Sequence, residues 1–175
     1  MDYAHRRPRP FRPEPARLSL AALVAIGLGA LAMALVGQYV FGLVPCVLCL
    51  YQRAPYAVVA GLAALGLVLP LSAAARRRLI AASGVVFLLG AGLAFYHVGV
   101  EHHWWGAVTG CAGTPVAQLT VDQLQSQLWT PQKPCDQVDF RFIGLSLAGW
   151  NAIMSLALAL GCVLQTARLG SRRRP

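Results

Sequence analysis

The chain has 175 residues, of which 57% are hydrophobic and 12% charged, and its formal net charge is +9. Soluble chains average roughly 45–50% apolar and about 25% charged residues, so a fold covered by water on all sides is excluded. The positive charge does not mark a nucleic-acid binder, and none is expected as a partner. Twelve of the 15 basic residues fall in three clusters, at 1–17, 76–78 and 168–174, with almost uncharged stretches between them.

In chain order, an Arg- and Pro-rich tail over 1–17 reads as disordered cytoplasmic sequence. Four long apolar segments follow, at 18–40, 44–69, 79–100 and 143–165, and a basic tail closes the chain at 166–175. Each segment is long enough to cross roughly 30 Å of hydrocarbon as a helix, which takes about 20 residues. Backbone groups in lipid find no water, so these spans must be helical. The first is too long for a signal-peptide core and is read as a retained span. The sequence therefore predicts an all-α integral membrane protein, an antiparallel four-helix bundle embedded in the lipid bilayer. Recurring small residues, such as Ala30 with Ala34 and Ala60 with Ala64, would let its helices approach closely.

With four spans, both termini and the turn at 72–78 share one side. That side carries all twelve clustered Arg residues and is expected to be cytoplasmic. The opposite side holds a short loop near 42–45 and a longer second loop over 101–142. In that loop Thr120 and Gln123 fit a capping box, and Ala117, Val121, Leu124 and Leu128 share one helical face beside Trp129. A short amphipathic helix lying on the membrane surface is expected there. Trp104 and Trp105 read as interfacial anchors.

Four of the five cysteines (Cys46, Cys49, Cys111 and Cys135) fall at or beyond the extracytoplasmic boundary, where disulfides persist. Cys162 lies inside the last span and reads as a small buried apolar residue without a role. Cys46-Val47-Leu48-Cys49 is a C-x-x-C at the head of the second span, a spacing that suits zinc or redox chemistry. Cys111, Cys135, His102 and His103 are formally available as further zinc ligands. However, Cys111 and Cys135 are 24 positions apart and lack the paired close spacing of a zinc knot, so no metal is expected. Two dithiol pairs on an oxidising surface fit an exchange relay better, with purely structural disulfides as the alternative.

Arg53 sharpens that choice. An arginine inside a span is costly and marks a functional position facing the protein interior or a cavity. It stands four residues after Cys49, on the same helical face, where it would stabilise a thiolate or negative charge on a bound acceptor. Pro45 is expected to open the helix, so that its positive end favours thiolate at Cys46. Cys46 would face water and other thiols, and Cys49 would face inward.

These residues resemble the disulfide bond formation protein B (DsbB) family. The resemblance covers about residues 18–165 and rests on Cys46-Val-Leu-Cys49-Leu-Tyr-Gln-Arg53, on the loop cysteines, and on Tyr96-His-Val-Gly-Val-Glu101 and Gly144-Leu-Ser-Leu-Ala-Gly-Trp-Asn151. It implies an inner-membrane thiol:quinone oxidoreductase that reoxidises a periplasmic DsbA-like dithiol oxidase and passes the electrons to the membrane quinone pool, ubiquinone or menaquinone. Cys111 and Cys135 would form the loop disulfide, with Cys111 attacked by the partner and Cys135 exchanging with Cys46. Cys49 would then stand beside the quinone, and Arg53 would bind its carbonyl. His102 best matches the family's quinone-site histidine, with His97 and His103 as neighbouring alternatives.

Three other classes fit parts of the pattern. A vitamin K-type quinone reductase would place its C-x-x-C after the loop cysteines, the reverse of the order here. A haem-binding electron carrier would need axial ligands on facing helices, whereas His97, His102 and His103 cluster at one end of one span. A non-enzymatic four-span scaffold with structural disulfides has no use for Arg53.

Overall fold

The computed structural model of the protein describes residues 14–106, 111, 133–138 and 140–171. The amphipathic segment expected around 117–129 and most of the Arg- and Pro-rich tail lie outside the described residues. The elements are α1 (Pro15–Tyr39), α2 (Val47–Tyr51), α3 (Ala54–Val68), α4 (Ala73–Glu101), a two-stranded hairpin of β1 (Arg141–Phe142) and β2 (Leu145–Ser146), and α5 (Leu147–Ser171). Among the described residues, four helical segments are long and apolar enough to cross a membrane: α1, the α2–α3 pair, α4 and α5. Much of their outer surface is apolar and uncovered, as Met33, Leu89 and Leu160 illustrate. That is the surface lipid requires and water would penalise.

Helix boundaries follow from local chemistry that hydropathy does not report. The first helix begins at Pro15, three residues before the expected 18, with proline at the position that tolerates its missing N–H. The third span begins at Ala73 and not at 79. The Ser72 hydroxyl caps it by accepting from the amide of Ala75 at 3.2 Å, so the Arg76–Arg78 cluster is helical and not part of a turn. The last helix begins at Leu147 and not at 143. Ile143 and Gly144 both take positive φ, 51° and 79°, as a two-residue hairpin turn requires. Ser146 then starts the helix by accepting from the amide of Gly149 at 3.1 Å.

The second span is two helices in place of one. Pro55 has no N–H to return to the carbonyl of Tyr51, and its ring crowds the preceding turn. The chain responds by bonding the Arg53 amide to the Leu50 carbonyl, three residues back, at 3.1 Å. Helical hydrogen bonding resumes with Ala57 to Arg53 at 3.2 Å. This break sets the directions of Gln52 and Arg53.

The core lies between the helices and includes Leu20, Leu23, Val59, Ala63, Ile80 and Phe87, with Cys162 buried among them. Helices α1 and α3 approach closely at Gly27, where an added Cβ would lie 2.8 Å from the Tyr56 carbonyl and 2.9 Å from the Ala60 methyl. At one end of the bundle, polar groups tie four elements together. Arg76 pairs with Glu14 at 2.6 Å and donates to the Gly66 carbonyl at 3.2 Å. Arg17 donates to the Leu67 carbonyl at 3.3 Å, and Gln165 donates to the Ser19 hydroxyl at 2.8 Å. The cysteines of the C-x-x-C and of the loop lie at the other end.

Candidate active site

Cys46 is not inside the helix but caps it, with extended backbone (φ −74°, ψ 170°). The expected start at Pro45 is thus shifted by two residues, to Val47. The cysteine sulfur accepts from the amide of Cys49 at 3.2 Å, a role usually filled by oxygen at an N-cap. A sulfur in that position faces the positive end of α2, which favours its anionic form. Cys46 lies just before the span. Hydrogen bonding with Cys49, and after it with His97, holds its thiol far below the ordinary thiol range, against burial that pushes it up. Contrary to expectation, Cys46 is not open to water: it is 3% exposed, whereas Cys49 is half-buried.

Among the described residues, Cys46 packs against the loop disulfide. Cys111 and Cys135 are bonded to each other, and both are buried in one cluster with Cys46, Leu48 and Val100. The amide of Cys135 also donates to the Cys111 carbonyl at 3.0 Å, which anchors that corner of the loop. Cys46 and Cys49 are free thiols. An inner dithiol and an outer disulfide thus pack against each other at the head of α2.

His97 joins the two. Its Nε2 lies 3.6 Å from Cys46 Sγ and 3.1 Å from the carbonyl oxygen of Cys135. Its Nδ1 lies 2.6 Å from the side-chain amide nitrogen of Gln52. Asn151 donates through Nδ2 to the Gln52 carbonyl oxygen and accepts through Oδ1 from the Tyr56 hydroxyl at 2.6 Å. Ser155 completes the chain with a 3.3 Å hydrogen bond to Asn151 Oδ1. These directions make Gln52 the donor to Nδ1 and leave the Nε2 proton of His97 for Cys135 and Cys46. Buried polar groups each cost about 1–3 kcal/mol when unpaired, so this fully paired chain is stable in an apolar bundle.

Arg53 donates to Gln38 Oε1 at 2.9 Å, which fixes the guanidinium across from α1. Arg53, Cys49, Cys46, Gln52 and His97 all border one cavity of about 610 Å³. Its walls are otherwise mostly apolar: Ala30, Met33, Ala34 and Val36 of α1, with Phe41, Val44, Phe140 and Leu147 around the rim. Ala30 and Ala34, read from sequence as packing contacts, line this space.

The structure brings together five of the six residues singled out from sequence: Cys46, Cys49, Arg53, Cys111 and Cys135. The sixth, His102, it places outside. His102 is exposed beyond the end of α4 and stacks on Trp104 with ring centroids 5.3 Å apart. His97, one and a half turns earlier, faces the cavity with Glu101, whose carboxylate is 3.9 Å from it. Trp105 lies over Gly99 with its ring stacked on Tyr96 at 5.8 Å, so glycine is needed beneath it. Gln52 and Asn151 were missed, although a lone amide in an apolar run is a visible signal. His97 also completes a cluster with Cys46 and Cys49 whose ligand atoms lie within 4.8 Å of one another. Its sequence separation of 51 from Cys46 hides that cluster from any local metal motif.

Paired free and bonded cysteines, packed at the head of a helix inside a four-span bundle, define a membrane oxidoreductase that works by dithiol–disulfide chemistry. The chain belongs to the family described as Disulfide bond formation protein DsbB, whose family model matches residues 16–165. Its relatives include Disulfide bond formation protein B of Xanthomonas euvesicatoria pv. vesicatoria (strain 85-10), 32% identical over 155 residues that cover 83% of this chain and 90% of the relative. The protein of the same description from Polaromonas naphthalenivorans (strain CJ2) is 32% identical over 163 residues, covering 88% and 93%. That from Acinetobacter baumannii is 30% identical, covering 87% and 91%. Members of this family are disulfide-generating oxidoreductases, and disulfide bond formation is the activity this chain shares with them.

Proposed function

We propose that the protein is a thiol:quinone oxidoreductase of the bacterial inner membrane, which reoxidises a DsbA-like periplasmic dithiol oxidase and passes the electrons to membrane quinone. The observation that carries this is the place of Cys46, packed against the loop disulfide on one side and bordering, with Cys49 and Arg53, an apolar cavity on the other. Both termini and the Arg76–Arg78 end would be cytoplasmic under the positive-inside rule, and the cysteine end periplasmic.

The partner's thiolate attacks Cys111, the bond to Cys135 breaks, and Cys135 leaves as a thiolate. The partner's second thiol then displaces Cys111, completing the partner's disulfide and leaving two electrons on Cys111 and Cys135. Attack of Cys135 on Cys46 in a Cys46–Cys49 disulfide, resolved by Cys111, moves the pair inward. It restores the loop disulfide and leaves an inner dithiol, the pairing pattern observed. The Nε2–H of His97 is positioned to steady charge on Cys46 during this exchange. The 3.1 Å contact with the Cys135 carbonyl keeps the two cysteines in register.

The cavity fits a quinone by its own chemistry: apolar walls, one guanidinium and side-chain amides at its polar edge. When bound there, a quinone, ubiquinone or menaquinone, supplies a two-electron, two-proton acceptor. Arg53 and Gln52 would hold its oxygens, Cys49 would deliver the electron pair as its bond to Cys46 re-forms, two protons would be taken up on those oxygens, and the apolar wall of α1 would exclude water. The test is stoichiometric quinone reduction by the purified full-length protein given a reduced DsbA-like oxidase. One quinone should be consumed per partner disulfide formed, and Cys49→Ser should abolish that reduction. Quinone reduction that persists in Cys49→Ser would overturn the proposal.

A further inference from the structure

We propose that Cys46, Cys49 and His97 of the reduced protein form a binding site for a thiophilic divalent ion, Zn²⁺, and that the bound ion holds the protein in its reduced state and stops turnover. The three ligand atoms already lie within 4.8 Å of one another, and Cys46 and His97 are buried at 3% and 4% exposure. Two thiolates and one neutral imidazole with an open fourth position form a ligand set that zinc accepts at roughly 2.0–2.3 Å, so only a small contraction is needed. Cys46 is already held as thiolate, so the ion's entry displaces the remaining thiol proton, that of Cys49. The resulting unit, with two thiolates and a divalent cation, carries no net charge, which suits a buried place. Cys111 and Cys135 cannot be ligands while bonded to each other.

The surrounding hydrogen bonds can serve the ion equally well. To bind through Nε2, His97 must carry its proton on Nδ1, facing Gln52. Gln52 meets that demand by turning its amide so that the oxygen accepts from Nδ1–H. Asn151 turns likewise to accept from Gln52, and the hydroxyls of Tyr56 and Ser155 can each accept instead of donate. The chain of amides therefore has two complete arrangements, one for a thiol-facing proton and one for a metal-facing lone pair. An outer partner of this kind typically changes metal affinity by about 10- to 100-fold.

Binding needs neither quinone nor a partner protein, so its test is separate from that of the proposed activity. Full-length protein carrying Cys111→Ser, Cys135→Ser and Cys162→Ser would be reduced, freed of reductant and titrated with Cd²⁺, read by thiolate-to-metal charge-transfer absorption, and with Zn²⁺ by competition. One ion per chain is expected, with two thiols protected from alkylation. Oxidation of Cys46 and Cys49 to a disulfide should abolish binding in the same preparation, a control that needs no further variant. Gln52→Leu should weaken binding by about 10- to 100-fold, and His97→Ala by more. In the otherwise unaltered protein, Zn²⁺ should block turnover and a chelator should restore it. The proposal is overturned by failure to bind, by affinity unchanged in a folded His97→Ala protein, or by turnover indifferent to zinc.

Discussion

His97 Nε2 stands 3.6 Å from the sulfur of Cys46, although 51 residues separate them in the chain. The same nitrogen is 3.1 Å from the Cys135 carbonyl, so a single imidazole spans the seam between the inner dithiol and the outer disulfide. Replacing it with alanine removes that link and strands the Gln52 amide. His97→Ala should lower stability by about 1–3 kcal/mol, read as a drop in Tm in detergent. It should also slow exchange between Cys135 and Cys46, followed by trapping thiols at timed intervals.

Arg53→Ala separates the two halves of the relay. Loss of a charge-assisted hydrogen bond to a quinone oxygen, about 1.5–3 kcal/mol, corresponds to roughly 10- to 100-fold in affinity. Apparent KM for quinone should rise by that factor. Formation of the mixed disulfide between Cys111 and the partner should be unchanged in a gel-shift assay, because Arg53 lies on the cavity side of Cys49.

Pro55→Ala tests the break in the second span. Alanine restores an amide facing Tyr51 and removes a residue poorly suited to a helix interior, a preference worth up to about 3 kcal/mol. The helix should run on from Val47 and turn Gln52 and Arg53 away from their partners. Quinone reduction should fall while Tm holds or rises, the reverse of the usual link between lost activity and lost stability.

Glu14→Gln probes the opposite end. The Arg76 side chain is only 10% exposed, and its carboxylate partner is one-third exposed. Neutralising the acid leaves the guanidinium with the Gly66 carbonyl as a remaining partner, at a cost of about 1–2 kcal/mol after allowance for solvent at Glu14. Thermal unfolding should register that loss, and KM for quinone should not move.

The spans were legible because lipid imposes a simple demand, long uncharged helices, that composition alone reveals. Their ends were not, because they depend on single caps: the Ser72 hydroxyl, the Cys46 sulfur and the Ser146 hydroxyl each start a helix where hydropathy changes little. Pro55 was visible in the sequence and did carry the signal for the broken second span. The candidate site was legible wherever its parts are neighbours in the chain, as Cys46, Cys49 and Arg53 are. Which of His97, His102 and His103 borders the cavity depends on which way the end of α4 faces, and that follows from packing against α2 and α5, which no local pattern reports. Gln52 and Asn151 find each other 99 positions apart, a pairing that no local pattern encodes.

The polar ties among Glu14, Arg17, Ser19, Leu67, Arg76 and Gln165 pin the helices together far from the cysteines. At the cysteine end the Arg53–Gln38 hydrogen bond fastens α1 to the second span as well. Clamped at both ends, the helices have little freedom to part along their length, so the cavity keeps its shape without help from a bound molecule.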